Sequence, residues 1–356
     1  MSTPSPTLEF GIFSFGDTYP HPTTGLRQSA GENLAQILER IQLADELGLD
    51  YFGLGEHHRS DFSVSACSTV LAAAAARTSQ IRLGTATTVL TTEDPIRLYE
   101  QFATLDQLSG GRAELGVGSG VFEEPFRLFG GSIEDKDVNF DEKLRLLSDV
   151  NDHERITFSG TTRPPIDDAQ VWPRAVGGHL SIWQATSMDS RSFDRAARLG
   201  LSVQAAATGG DLDVLSTLVT EYRESGRRHG WPQSRLRVAI GGHGIIDHDS
   251  SAARSIFFPH YRDYVAGMRV NRGKPSPTRE HYDAAATSSG SGVFVGNPAE
   301  ITEKILHQHA LVGHDRHIFQ IDWRAVPHDI QLRTIELLAT EVVPAVRAEL
   351  SSVPIA

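Results

Sequence analysis

Three adjacent ionisable residues, Glu56, His57 and His58, follow a short apolar run in the stretch 51-YFGLGEHHRSDFSVSA-66. A histidine with an ordinary pKa of about 6.5 can hold or release a proton at neutral pH, and a neighbouring carboxylate can orient or tune its ring. The alternative is a solvated loop, which needs no chemistry. Three such groups together at the end of a strand favour a functional site over a solvated loop, so all three are predicted catalytic residues.

Metal binding is the natural rival for these histidines. Successive side chains of a strand point to opposite faces, so His57 and His58 are poorly placed to bind one ion together. A His-x-His pattern occurs at His307-Gln308-His309, in a segment with helical periodicity, where residues two apart diverge. The sequence therefore predicts no metal site.

A glycine-rich turn, 116-GVGSGVF-122, comes directly after a strand-like run. It is similar to the dinucleotide fingerprint G-x-G-x-x-G, but its third glycine is one residue early and no clean helix follows. Glycines that let a flat ligand approach the backbone explain the turn better. Gly118 and Ser119 are therefore predicted cofactor-binding residues.

A third stretch, 186-TSMDSRSFDRAARLG-200, joins a strand to an amphipathic helix. Its serines (Ser187, Ser190 and Ser192), the backbone N–H groups of a helix start and the Arg191 guanidinium suit a phosphate dianion. Plain N-capping by Ser190 or Ser192 explains the same serines. The two readings are compatible, so Ser190, Arg191 and Ser192 are predicted to bind a cofactor phosphate.

Strand-like and helical segments alternate along the whole chain. Strand-like runs occupy residues 8–15, 49–55, 81–90, 112–118, 180–186, 201–207, 236–246 and 317–323. Helical periodicity covers residues 31–47, 66–79, 96–108, 137–150, 190–199, 211–229, 249–268, 298–312 and 328–349. Strands separated by helices pair in parallel, and about eight such units predict an α/β fold, a (β/α)8 TIM barrel with its active site at the carboxyl ends of the strands.

Two long polar segments, 152–179 and 269–297, fit none of these units. Loops of that length in a compact domain are usually functional or disordered. We predict one barrel domain over residues 1–356, with both segments forming ordered lids over the mouth.

The bulk composition excludes several classes of protein. The chain has 356 residues, of which 39% are hydrophobic and 22% charged, and a net charge of −12, so it has no basic surface for nucleic acid or anionic membranes. One cysteine, Cys67, fits a reducing compartment. The N-terminus has no signal-peptide pattern, and no apolar run is long enough to span a membrane. A cytoplasmic protein is expected.

Motifs spread along the chain resemble those of the bacterial luciferase-like monooxygenase family of flavin-dependent barrels. They are GEHHRSDF (55–62), IRLGTATTVL (81–90), EDPIRLYEQFATLDQLSGGRAELGVG (93–118), AARLGL (196–201), GNPAEITEKI (296–305) and ELLATEVVPAVR (336–347). The resemblance implies a (β/α)8 barrel, often a homodimer, that binds reduced FMN or the deazaflavin F420 at its mouth.

The same resemblance assigns roles to residues. The Glu-His-His triplet is typical of the flavin-using branch, with His57 at the catalytic position and His58 beside it. Ala86-Thr87 falls at a non-proline cis peptide that contacts the isoalloxazine ring. The implied reaction is oxidation of a small organic substrate by hydroxylation or Baeyer–Villiger insertion, with reduced flavin supplied by a separate flavin reductase.

Two departures from the family pattern concern the phosphate. Ser119 stands where many relatives have arginine, and Ser187-Met188-Asp189 stand where most have glycines; Arg191 could supply the missing positive charge. An F420-dependent oxidoreductase and a non-catalytic flavin-binding relative therefore stay open as alternatives. Five aromatic residues, of which Phe13 is predicted to bind the cofactor, line a pocket or belong to the core: Phe13, Phe15, Phe122, Phe126 and Trp183.

Overall fold

Parallel strands close into a barrel in the computed structural model, which describes residues 8–186, 188–206, 211–270 and 276–352. In chain order the strands are β1 (Glu9–Ser14), β2 (Tyr51–Leu54), β3 (Arg82–Thr85), β4 (Thr88–Val89), β5 (Ala113–Gly118), β6 (Arg155–Phe158), β7 (Ile166–Gln170), β8 (Ser181–Thr186), β9 (Ser202–Ala206), β10 (Val238–His243) and β11 (Arg316–Gln320). The ring runs β1, β2, β3, β5, β8, β9, β10, β11 and back to β1, every pair parallel. These eight strands coincide with the eight predicted ones, which confirms the TIM-barrel fold class.

Helices lie between the barrel strands. They are α1 (Ala30–Glu46), α2 (Cys67–Ala75), α3 (Pro95–Ser109), α4 (Glu124–Leu128), α5 (Lys136–Asp152), α6 (Ser190–Leu199), α7 (Leu212–Arg228), α8 (Ser250–Val270), α9 (Arg279–Thr287), α10 (Pro298–Val312), α11 (His328–Leu337) and α12 (Val343–Ser352). Within the described ranges, no helix combines the length and the apolar character needed to cross a membrane.

Local sequence signals set where these helices begin and end. Ser29 and Glu32 form a reciprocal capping box at the start of α1, and Gly48, at φ 78°, follows its end. Asp94 accepts hydrogen bonds from two backbone N–H groups at the start of α3, and Gly110 ends that helix at φ 72°. These positions match the helix boundaries expected from the sequence.

The predicted strand 81–90 is interrupted. β3 ends at Thr85, the Ala86–Thr87 peptide bond is cis, and the chain resumes as the two-residue β4, which pairs with the end of β5. The cis bond lies where the family resemblance placed it. The interruption brings Ala86 and Thr87 to the carboxyl end of the barrel, between β2 and β5.

A charged cluster fills the barrel interior. Arg316 is fully buried, and its guanidinium binds both carboxylate oxygens of Glu114, at 2.6 and 2.8 Å, and the Glu9 carboxylate at 2.8 Å. The ring centroids of Tyr51 and Trp183 each lie 4.4 Å from its guanidinium carbon. Trp183 therefore belongs to the interior packing rather than to a ligand pocket.

The two long segments contain more regular structure than the predicted lids. Segment 152–179 joins α5 to β8 and contains the β6–β7 hairpin, whose tip donates backbone and hydroxyl hydrogen bonds from Thr161 and Thr162 to Glu142 of α5. A helix-to-strand connection begins and ends at the amino-terminal end of a barrel, so the hairpin lies beside α5. That it also covers the mouth stays a prediction.

Segment 269–297 begins at the end of α8, and its last residues pair with residues at and just after the carboxyl end of β10. It contains α9 and two bridges that extend the sheet, His243 to Val293 and Ile246 to Gly296. A second apolar cluster, built from α8, α9 and Trp323, lies there. That this segment covers the mouth as a lid stays a prediction, and residues 271–275 lie outside the described ranges.

Candidate functional site

Glu56 is buried at the end of β2 and makes three hydrogen bonds that fix the chain there. Its Oε1 lies 2.7 Å from Nε2 of His58, its Oε2 accepts from the Val89 N–H at 3.1 Å, and its own N–H donates to the Thr87 carbonyl at 3.0 Å. Residues two apart in an extended chain share a side. The hydrogen bond of the Glu56 carboxylate therefore goes to His58 and not to His57, and Glu56 also ties β2 to the cis peptide. Its catalytic role stays a prediction.

His57 lies on the other side, inside a box of three aromatic rings. It stacks on Phe62, with ring centroids 4.1 Å apart and planes 22° apart, and its centroid is 4.7 Å from that of Phe15 and 5.5 Å from that of Phe122. The residue retains partial exposure at the mouth. Gly55 makes room for the box, because a Cβ there would lie 2.1 Å from the Phe15 ring.

The aromatic box changes the acid–base character of His57. Burial is the main cause that lowers its pKa to about 4; the Gly55 backbone acts in the opposite direction, and the charge of Arg59 adds to the lowering. The expectation of an ordinary histidine pKa is wrong, because burial desolvates the ring and disfavours the imidazolium. At neutral pH the ring is neutral, and its Nδ1 makes no hydrogen bond of ordinary geometry with the described residues.

The predicted ring-contacting residues lie at the ends of three barrel strands, β1, β3 and β5. Ala86 donates its N–H to the Leu54 carbonyl at 2.8 Å, and a Cβ on Gly118 would lie 2.8 Å from the Thr87 hydroxyl. Phe13, near the end of β1, has its ring centroid 5.6 Å from that of Phe15. Small side chains and a peptide plane at these strand ends leave room for a flat ligand.

The predicted phosphate residues have a different arrangement. Asp189 caps α6: its side chain accepts from the Ser192 N–H at 3.0 Å, and the Ser192 hydroxyl donates to the Asp189 carbonyl at 3.0 Å. The expectation that Ser190 or Ser192 caps the helix is therefore wrong, because a carboxylate one residue earlier takes that role. Ser190 and Arg191 are exposed, and Ser187 lies outside the described residues.

Ser119, the other predicted phosphate residue, follows β5. Its carbonyl accepts a hydrogen bond from the Thr91 hydroxyl at 3.0 Å, and its side chain is neutral. It brings no positive charge to this turn. The phosphate-binding role of the serines and Arg191 stays a prediction, and the local charge opposes it.

Sequence reasoning missed Phe62 and the role of Arg59. The Arg59 guanidinium carbon lies 4.9 Å from the centroid of Phe122, which in turn contacts His57. A cavity of about 310 Å³ opens beside them, lined by Arg59, Val121, Phe122, Glu123, Glu124 and Arg127. Both residues belong to the GEHHRSDF motif, but only the folded loop shows that Phe62 returns to cover the histidine.

Comparison with known proteins gives consistent findings. Residues 8–320 match the family model of luciferase-like monooxygenases. The 4-hydroxyprotoasukamycin monooxygenase of Streptomyces nodosus subsp. asukaensis is 26% identical over 353 residues, which cover 96% of this chain and 94% of that protein.

Two solved structures share the fold. The oxygenating constituent of 3,6-diketocamphane monooxygenase from Pseudomonas putida, a type II Baeyer–Villiger enzyme in complex with FMN, has a TM-score of 0.76 at 19% identity, covering 95% of this chain and 98% of that one. The coenzyme F420 dependent tetrahydromethanopterin reductase of Methanopyrus kandleri has a TM-score of 0.67 at 17% identity, covering 95% and 99%. Identities this low show the fold alone.

Proposed function

We propose that this protein is a flavin-dependent monooxygenase that uses reduced FMN and O2 to oxidise a small organic substrate. The chain belongs to the luciferase-like monooxygenase family and is an oxidoreductase of that kind. The reaction would be hydroxylation or Baeyer–Villiger oxygen insertion. The observation that carries the proposal is the neutral imidazole of His57, enclosed by aromatic rings beside the cis Ala86–Thr87 peptide at the barrel mouth.

The residues that would hold the flavin ring are those gathered at the strand ends. Ala86 and Thr87 would contact one face of the ring, and Phe13 and Gly118 would lie beside it. Bound reduced flavin would supply the electrons that reduce O2, and one oxygen atom of O2 would be transferred to the substrate. The barrel contributes the orientation, the exclusion of water and a titratable group.

His57 is the proposed proton-transfer group. A neutral imidazole can accept a proton from a reacting group and return it later, and general acid–base catalysis of this kind contributes about 10²–10⁴ in rate. The box formed by Phe15, Phe62 and Phe122 keeps bulk water away from it. Glu56 acts indirectly, because it fixes His58 and the loop that carries both histidines.

We also propose that a separate flavin reductase supplies the reduced flavin and that the protein acts as a homodimer. The Pseudomonas putida neighbour is described as an oxygenating constituent, which supports a divided system of this kind.

The test is oxygen transfer by the purified protein with FMN, a flavin reductase and NADH. A panel of ketones and phenols is incubated under 18O2, and products are analysed by mass spectrometry. The expected result is incorporation of one 18O atom that is lost in His57→Ala and kept in His281→Ala, an exposed histidine on α9. Undiminished product from His57→Ala removes that residue from the mechanism.

The two alternatives give other outcomes. The absorbance spectrum of the small molecule released when purified protein is denatured distinguishes FMN from the deazaflavin F420. A non-catalytic flavin-binding relative would bind FMN and yield no labelled product with any reductase. Ser119 and the Asp189 cap are the observations that favour this last reading.

A further inference from the structure

The start of α6 carries its own negative charge. Asp189 has an extended backbone, at φ −137° and ψ 143°, and its carboxylate accepts the Ser192 N–H at 3.0 Å. The exposed N–H groups of a helix start, with their partial positive charge, are what attracts a phosphate. Here a side-chain carboxylate already uses one of these groups and compensates that charge.

The neighbouring cations do not restore a phosphate site. Arg195, in the second turn of α6, donates to the Gln184 amide at 3.3 Å and forms an ion pair with Asp141 of α5. Its guanidinium carbon also lies 4.7 Å from the centroid of the Phe140 ring. Arg191 is exposed to solvent at the helix start, where water and salt screen its charge.

We propose that Asp189 sets the flavin specificity of this chain, which binds a flavin through its ring system with little contribution from a 5′-phosphate. Riboflavin, which has no phosphate, and FMN then bind with similar affinity. The inference rests on the proposed function, since it requires a flavin at the mouth. It also accounts for the presence of Ser119, because a chain that does not hold a phosphate needs no arginine there.

Repulsion between the Asp189 carboxylate and a phosphate can be tested by removing the charge of Asp189. A dianion placed at this helix start meets the Asp189 carboxylate at close range, and like charges there repel. Asparagine caps a helix about as well as aspartate, so Asp189→Asn removes the charge and keeps the cap. A charge at a helix N-terminus changes an equilibrium by about two- to thirtyfold.

The experiment measures dissociation constants of oxidised riboflavin and oxidised FMN by fluorescence quenching, for the whole protein at about 20 mM and 0.5 M NaCl. The wild type is expected to bind the two flavins within threefold of each other. Asp189→Asn is expected to strengthen FMN binding about two- to thirtyfold and to leave riboflavin binding unchanged. Asp249→Asn is the matched control, because Asp249 caps α8 by accepting from Ser251 and Ala252 N–H groups.

Salt and Arg191 distinguish repulsion from attraction. If Asp189 repels the phosphate, added salt strengthens FMN binding slightly in the wild type, and Arg191→Ala changes the FMN affinity by less than twofold. Wild-type preference for FMN of more than tenfold, or weakening of FMN binding by Arg191→Ala, overturns the inference and leaves the proposed function standing. Binding of neither flavin overturns both.

Discussion

The acid–base behaviour of His57 depends on aromatic residues from other parts of the chain and on Phe62 in its own loop. The GEHH motif identifies the residue, and the strand before it places it at the mouth. Its pKa, however, is lowered mainly by burial, and the rings that pack on it, Phe15, Phe62 and Phe122, come from three different strand-to-helix connections. Sequence periodicity carries no information about such contacts, so the expectation of an ordinary pKa was wrong.

Removing one wall of the box tests this account. Phe62→Ala exposes the stacked face of the His57 ring, so its pKa is expected to rise from about 4 towards the ordinary value of about 6.5. Under the proposed function the neutral form of His57 is the active one, so the acid limb of the pH–rate profile is expected to move to higher pH by a similar amount. NMR titration of the imidazole measures the shift directly.

Phe129→Ala is the matched control for that experiment. The Phe129 ring lies 4.9 Å from His58 rather than against His57, so the pKa of His57 should stay near 4 in this variant. A pKa that is unchanged in Phe62→Ala would show that other groups desolvate the ring.

The contribution of the Glu56–His58 hydrogen bond to stability can be measured by substituting both residues. Glu56→Gln replaces a carboxylate that serves both His58 and the Val89 N–H by a group with one acceptor oxygen. The free energy of unfolding is expected to fall by about 1.5–3 kcal/mol, the range for a hydrogen bond to a charged group. A double-mutant cycle with His58→Ala, followed by urea denaturation, measures the coupling; additive effects would mean that the two side chains act independently.

Whole elements were more predictable than single side chains. All eight barrel strands were found at their predicted places, because buried parallel strands are continuous apolar runs bounded by helices with clear periodicity. The cis Ala86–Thr87 bond that ends β3 was anticipated through family resemblance and not through pattern. The β6–β7 hairpin was missed, since its exposed residues alternate weakly: in β7 none is buried.

The interior of the barrel contains a charged cluster, which would not be expected if only apolar residues filled the core. Glu9 of β1, Glu114 of β5 and Arg316 of β11 join three strands, and the opposing charges of Arg316, Arg82 and Arg237 outweigh burial and lower the pKa of Glu9 to about 2. Breaking one partner leaves uncompensated buried charge. Arg316→Met is therefore expected to lower the free energy of unfolding by about 3–5 kcal/mol.

Two further variants distinguish the loss of charge from the loss of packing in Arg316→Met. Arg316→Met combined with Glu114→Gln should recover part of the loss, because one buried carboxylate is then neutral. Arg97→Met, which breaks an exposed ion pair with Glu100 on α3, should cost less than about 1 kcal/mol. If Arg316→Met and Arg97→Met have equal effects on urea denaturation, the interior cluster does not stabilise the barrel through charge.

At the scale of the whole molecule, the sequence indicates one barrel and its open end, while the charge balance of the interior emerges only from the folded chain. Histidines illustrate the difference. The chain has 15 of them, and nothing in their spacing distinguishes those at the mouth from those in the core. His314 and His317, at the start of β11, are fully buried with ring nitrogens 3.3 Å apart.

These buried histidines make stability depend on pH. Burial lowers the pKa of His317 to about 3, with a smaller contribution from His309, and burial lowers that of His314 well below its ordinary value. The folded pKa is below the unfolded one of about 6.5, so the unfolded chain binds more protons between these values and stability falls as the pH drops below about 6.5. The titration of His317 alone should make the free energy of unfolding about 2 kcal/mol lower at pH 5 than at pH 8.

Urea denaturation at pH 8, 7, 6 and 5 measures this slope. His317→Gln removes one titrating group, so its free energy of unfolding, although lower at pH 8, should fall less between pH 8 and pH 5 than that of the wild type. His281→Gln, at an exposed position on α9, should keep the wild-type slope. An unchanged slope in His317→Gln would mean that the interior around β11 admits a proton at little cost, and the physical account of a dry histidine pair there would fail.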